Sequence, residues 1–305
     1  MATVQTVRGP IDSSELGLTL MHEHLHADFP AAIGGKDPLD SEPIVIEELE
    51  RFTRAGGRTV VELTVPDAAR NPLALRRISE ATGLHVVMGC GWYVEDAYPP
   101  EVNRTPTRDL AAQLIAEIEN GVGPERIRPG IIGEIGSRRE TVSAVEERVF
   151  RAVARASLAT GLTVSTHSIG RAGLEHLAIL GEEGLDPSRI IIGHSDYRLD
   201  PAYNRAIVEA GATVEFDWIG DNRATSEWDL RLCDVIVELV EAGFGNQVLI
   251  STDVSRMSDL AILGGKSYGY LLETFVPRLR ERGLGDRELD TLLVHNPRRI
   301  LEPLM

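Results

Sequence analysis

The chain has 305 residues, 43% of them hydrophobic, and a formal net charge of −16 from 31 basic and 47 acidic side chains. That length suits two domains or one α/β barrel and buries about three-quarters of the unfolded chain's surface, while such acidity repels polyphosphate backbones and speaks against a nucleic-acid partner. Two cysteines suit a reducing compartment, no basic-then-apolar leader opens the chain, and no run approaches the ~20 apolar residues of a membrane span, so a soluble cytoplasmic protein is expected.

Residues 1–17 read as a lead-in rich in turn formers, Gly9-Pro10 and Asp12-Ser13-Ser14. Short β-branched runs then alternate with longer amphipathic ones. Strands are expected at 19–22, 59–64, 86–90, 130–134, 163–167, 190–194, 213–217 and 248–253. Helices are expected at 42–55, 72–82, 107–120, 142–160, 173–183, 201–210, 227–242 and 269–282, with a last one from Asp286. Glycines suited to end them follow several, among them Gly83, Gly121 and Gly161. The strand runs are almost continuously apolar, as parallel strands covered on both faces must be. No linker or low-complexity stretch interrupts the alternation. Eight strand–helix units define one (β/α)8 barrel over 1–305. An open doubly wound sheet would want a Gly-rich phosphate loop after the first strand, where His22-Glu23-His24 stands instead.

In such a barrel the active site lies where the strands end. Strand one ends in His22 and runs on to His24, strand four ends in Glu134, five in His167, six in His194 and eight in Asp253. Alternate residues of a strand share a face, so His22 and His24 aim two imidazoles at one point. Four histidines and two carboxylates exceed the needs of one tetrahedral zinc. They suit two divalent cations with a shared anion between them. Glu134, from the middle of the strand order, is the natural bridge; His22, His24 and Asp253 would hold the inner metal and His167 and His194 the outer. Zinc fits the set, and manganese, cobalt or iron would too.

This order of ligands resembles the phosphotriesterase family of the amidohydrolase superfamily. Thr19-Leu20-Met21 before His22, Gly193-His194-Ser195-Asp196, Gly264-Gly265 followed by Tyr268-Gly269-Tyr270, and Asn296-Pro297 add to the likeness. Many members bridge their metals with a carboxylated lysine. Glu134 in that position is similar to the glutamate branch, the phosphotriesterase homology proteins and phosphotriesterase-related protein, so the paraoxonase activity, or the lactonase activity of lysine-bearing members, is not carried over. The resemblance also implies a homodimer.

Two cations acidify a shared water, giving a hydroxide nucleophile. Asp253 would take its proton and pass it to the leaving group. The expected reaction is hydrolysis of a small ester or lactone, with an N-acyl amide or a phosphoester as alternatives on the same site. A metal-dependent isomerase or lyase would need a further acid/base, for which Glu62 and Asp217 are the candidates, and a non-catalytic metal-binding barrel is the remaining reading. Tyr93, Arg223 and Arg256 are the candidate substrate contacts, the arginines for an anionic group. Lys266 and Tyr268 are candidates for a lid. His26, His85, His176, His295 and Cys90 are expected to take no part.

Overall fold

The structure, a computed structural model, describes residues 2–221 and 226–304. Its first segment is not the irregular lead-in expected but a hairpin, β1 (Thr3–Thr6) antiparallel to β2 (Gly9–Asp12). Turn residues and a short alternation look alike in seventeen residues; Val4, buried under the barrel, decides for pairing.

Strands and helices then alternate: β3 (Leu18–Glu23), α1 (Glu42–Arg54), β4 (Gly57–Glu62), α2 (Pro72–Thr82), β5 (His85–Met88), α3 (Thr107–Asn120), β6 (Ile132–Ser137), α4 (Ala144–Thr160), β7 (Val164–Ser168), α5 (Gly173–Glu182), β8 (Ile190–Ile192), α6 (Pro201–Glu209), β9 (Thr213–Phe216), α7 (Ser226–Leu239), β10 (Val248–Ile250), α8 (Val276–Glu281), α9 (Asp286–Asp290) and α10 (Asn296–Leu301). The helices start and stop on local chemistry. At α4, Ser143 and Glu146 form a capping box and Gly161, at φ 74°, ends the helix in the left-handed region.

Strands β3 to β5 and β6 to β10 form two parallel ladders. Backbone bonds join them at both seams: Gly130 N–H to Met88 O (2.9 Å) and Gly133 N–H to Cys90 O (2.8 Å) on one side, Asp253 N–H to His22 O (3.1 Å) and His24 N–H to Val254 O (3.0 Å) on the other. The result is a TIM barrel. Inside, Met21, Val61, Leu63, Val87, Ile131, Ile191 and Leu249 meet Val4, Leu16, Ile300 and Leu301, so the hairpin and α10 plug one end. Outside, alternate strand residues such as Val60, Val86, Ile132, Val164 and Ile190 pack beneath the helices. Each such side chain contributes ~1.5–3 kcal/mol by leaving water. The apolar plug fills the end where the strands begin and leaves polar side chains to meet at the other.

Several strands stop earlier than their apolar runs suggest. Strands β8, β9 and β10 end at Ile192, Phe216 and Ile250. His194 (φ 52°) and Asp253 (φ 47°) lie beyond them in left-handed backbone, which turns each side chain inward. Glu134 is not at the end of its strand either, since β6 continues to Ser137. Gly136 allows this: a Cβ there would lie 2.3 Å from that of His167. Among the described residues no helix is long and apolar enough to cross a membrane.

Candidate metal centre

Six side chains from five strands converge at the open end of the barrel. His22 Nε2 lies 3.5 Å from Glu134 Oε2 and 3.8 Å from Asp253 Oδ1. His24 Nε2 lies 3.7 Å from Glu134 Oε1 and 3.2 Å from Asp253 Oδ1. On the far side of Glu134, its Oε2 is 3.5 Å from His194 Nε2 and 2.9 Å from His167 Nδ1, and those two ring nitrogens are 2.7 Å apart.

Most of these separations exceed a hydrogen bond. They match the edge of a tetrahedron of donors, about 3.4 Å for bonds of about 2.1 Å to a central cation. His22 Nε2, fully buried, has no hydrogen-bond partner, which is costly unless something else takes its lone pair. Two overlapping groups of donors are close enough to hold a metal ion, His22, His24 and Glu134 on one side and Glu134, His167 and His194 on the other.

A further layer holds the ligands in place. Asp217 Oδ1 lies 2.7 Å from His194 Nδ1, and Asp217 Oδ2 accepts the backbone N–H of His194 (3.0 Å). The same Oδ2 is 3.0 Å from His22 Nδ1. His24 Nδ1 meets Thr64 Oγ1 at 2.8 Å, and Thr64 donates to Glu62. Trp218 Nε1–H donates to Asp253 Oδ2 at 3.0 Å. Such partners fix ring orientation and tautomer. Glu23, between the two histidines, turns away from them and accepts from Ser251 Oγ, Thr252 N, Thr252 Oγ1 and Val254 N at 2.7–2.9 Å.

The electrostatics follow from burial opposed by neighbours. Burial would lower the His22 imidazolium, but the Asp217 and Glu134 carboxylates raise its pKa well above the usual value. Burial would raise Glu134, yet His167 and His22 hold it well below the carboxylate range. Glu62 has fewer such partners, and burial pushes it up to about 7.

A cavity of about 110 Å³ opens onto the cluster, lined by His24, Glu134, His167, His194 and Asp253 and roofed by Phe29, Tyr93 and Trp218. Tyr93 Oη is 3.2 Å from His167 Nδ1. Arg256, half-buried, and Lys36, exposed, stand at the mouth; among the described residues neither makes an ion pair. A larger cleft of about 700 Å³, lined by the hairpin and Pro129, lies away from every one of these groups. Arg223 lies outside the described residues. Tyr268 corrects the lid expectation: it is fully buried, its hydroxyl donating to His24 O at 2.8 Å. Lys266 is drawn to Asp229 (3.6 Å) and the Tyr270 ring. Asp217 and Glu62, candidate acid/bases from the sequence, face ligand imidazoles and hydroxyls instead of the cavity. His176 is buried on α5 against Ser137 and Phe150.

Sequence reasoning missed Glu23, Thr64, Phe29, Lys36 and Trp218, and misread Asp217. A signal existed for two of them: Glu23 and Asp217 are carboxylates within otherwise buried strand runs, where a charge needs a partner.

A TIM barrel that gathers imidazoles and carboxylates around a small cavity at its open end is the framework of a metal-dependent hydrolase. The chain belongs to the Phosphotriesterase family, whose sequence model matches residues 2–301. It is 35% identical over 283 residues to the phosphotriesterase homology protein of Escherichia coli, covering 92% of this chain and 96% of that one. The N-acetyltaurine hydrolase of Homo sapiens is 30% identical over 340 residues, with 98% and 97% covered. The crystal structure of a lactonase from Listeria monocytogenes superposes with a TM-score of 0.92 at 27% identity, covering both chains fully. As a member of this family the chain is a metal-dependent hydrolase of small molecules.

Proposed function

We propose that residues 1–305 act as one barrel that hydrolyses a small carboxylic ester or lactone with two divalent cations, zinc being the assigned metal. His22, His24 and Asp253 hold the inner ion, His167 and His194 the outer, and Glu134 both. The observation that carries this reading is the 3.2–3.8 Å spacing of His22, His24, Glu134 and Asp253 donors around a buried imidazole nitrogen with no hydrogen bond.

Divalent cations in such a site acidify water and polarise the scissile bond. The chain's own groups do the rest. Asp253, its Oδ2 held by Trp218, takes the proton of the attacking water at its carboxylate and returns it to the leaving group. Phe29, Tyr93 and Trp218 wall the reacting carbon from bulk water. A cavity of about 110 Å³, well below the ~300 Å³ of sites for drug-sized ligands, suits a small acyl group. Tyr93 lies against it, and Arg256 and Arg223 are assigned to an anionic substituent.

A second reading, an N-acyl amide with an anionic leaving group, draws on the N-acetyltaurine hydrolase relatives and on Lys36 and Arg256 at the mouth. A phosphoester is the third reading on the same site. A homodimer is proposed on the family resemblance, and a cytoplasmic location on the two distant cysteines, which suit a reducing compartment.

The test is metal content per chain on protein purified without chelator, followed by a screen of lactones, aryl esters, N-acyl amino acids, N-acetyltaurine and phosphate esters with and without metal. About two ions per chain and a chelator-sensitive hit are expected, and the hit names the bond. Protein that takes up no zinc, manganese, cobalt or iron overturns the reading.

A further inference from the structure

Strand β9 supplies none of the six proposed ligands, yet its end touches three of them. We infer that Asp217 is a shared positioning residue: one carboxylate that holds a histidine of the inner metal and a histidine of the outer metal in the ligating tautomer together. The inference rests on the binuclear reading above.

The geometry is specific. Asp217 is fully buried, so its oxygens have protein partners only. Oδ1 takes His194 Nδ1 at 2.7 Å. Oδ2 takes the His194 backbone N–H at 3.0 Å and faces His22 Nδ1, also at 3.0 Å. His22 and His194 come from β3 and from the turn after β8, and their rings lie 5.1 Å apart. Each ring presents Nε2 toward Glu134, at 3.5 Å in both cases. An imidazole that ligates through Nε2 must carry its proton on Nδ1, and that proton needs an acceptor. Asp217 is the carboxylate common to both: it is hydrogen-bonded to His194 Nδ1 and lies 3.0 Å from His22 Nδ1, a buried nitrogen with no hydrogen bond of its own in this structure. Its hold on the His194 backbone N–H also secures a non-glycine residue at φ 52°, a conformation that persists only where neighbours enforce it.

The end of β9 is itself anchored. Trp218 N–H donates to Asp196 Oδ2 at 2.9 Å, and Ser195 N–H donates to Glu215 O at 2.9 Å. The residues flanking His194 and Asp217 therefore lock to each other, and the carboxylate cannot follow one histidine without disturbing the other. Glu215 Oε2, 3.4 Å from His22 Nδ1, is a more distant second acceptor for that ring alone.

Asp217→Asn separates a shared acceptor from a private one. The amide keeps the shape but has a single acceptor oxygen, so one ring nitrogen would face an N–H₂ group. With zinc-loaded wild type holding two ions, Asp217→Asn is expected to release zinc to a competing chelator at least ~tenfold faster, the scale of such orienting partners, with both ions affected. Glu215→Gln is expected to leave the His194 side unchanged. Thermal unfolding of the metal-free forms reports folding separately from metal retention. Should Asp217→Asn not fold, ¹H–¹⁵N spectra of histidine side chains in the zinc-loaded wild type decide. Nδ1–H on both His22 and His194 supports the inference; Nδ1 ligation of either ring overturns it. Unchanged release of both ions by a folded Asp217→Asn also overturns it, while leaving the binuclear reading intact. A wild type that binds no metal overturns the reading beneath it instead.

Discussion

Asp253 shows how one side chain is divided between duties. Oδ1 faces His22 and His24, and Oδ2 accepts the indole N–H of Trp218. Asp253→Asn keeps a ligating oxygen and loses the proton acceptor. Metal content is expected to stay near the wild-type value while kcat falls by ~10²–10⁴, the usual worth of a positioned base; elemental analysis beside steady-state kinetics checks both halves. His176 carries the opposite lesson, since its chemistry is entirely about folding. Burial pushes its pKa down to about 3, against about 6.5 in the unfolded chain. The unfolded state therefore binds the proton first as pH falls, and stability is lost between about pH 6.5 and pH 3. At pH 5 that loss is about 2 kcal/mol. His176→Phe, stacking on Phe150 as the imidazole does, is expected to lose correspondingly less stability between pH 7 and pH 5 in urea titrations. The six proposed ligands were legible because metal-capable side chains at strand ends are rare and their order is informative. Trp218 and Thr64 were not legible: an indole just past an expected strand, or a hydroxyl at the end of one, looks like any other until the ligand it touches is located.

Among elements, β6 and β7 are the pair on which the proposed bridge depends. Gly136 is where they approach, its absent side chain making room for His167. Gly136→Ala is expected to push the strands apart, shift Glu134 relative to His167, and lower outer-metal occupancy more than inner; zinc titration with a chromophoric chelator reads the two sites in turn, and equal retention would count against the packing argument. The strand runs were readable at this scale because apolar periodicity reports burial. Their ends were not, because the switch of His194 and Asp253 into left-handed backbone leaves no mark on hydrophobicity. The β1–β2 hairpin went unread for a related reason. Four-residue strands with polar alternation resemble turns, and only the buried plug of Val4 against Ile300 and Leu301 sets them apart.

For the whole molecule, the barrel's closing seam is where fold and site meet. The architecture was legible because eight similar units have one common closed arrangement; how the ring is sealed was not, since it rests on Glu23, a carboxylate whose neighbours in sequence are both assigned to metal. Four donors from Ser251, Thr252 and Val254 converge on it. Three of the donors share Oε1 and only Val254 N–H takes Oε2, so Glu23→Gln keeps the first oxygen and turns an N–H₂ group toward Val254 N–H. The expected cost is about 1–3 kcal/mol, one impaired bond to a buried group, seen as a lower urea midpoint in metal-free protein, where loss of ligation cannot account for it.

The same seam sets a timetable. Glu23 and Val254 are 231 residues apart, and Asp253 meets His22 and His24 only when that seam shuts. A chain emerging from the ribosome at ~5–20 residues per second presents its paired histidines roughly ten to fifty seconds before their last partner exists. On the proposed ligand set, the centre is complete only when Asp253 joins it, so ion loading is expected of the finished polypeptide and not of the growing chain.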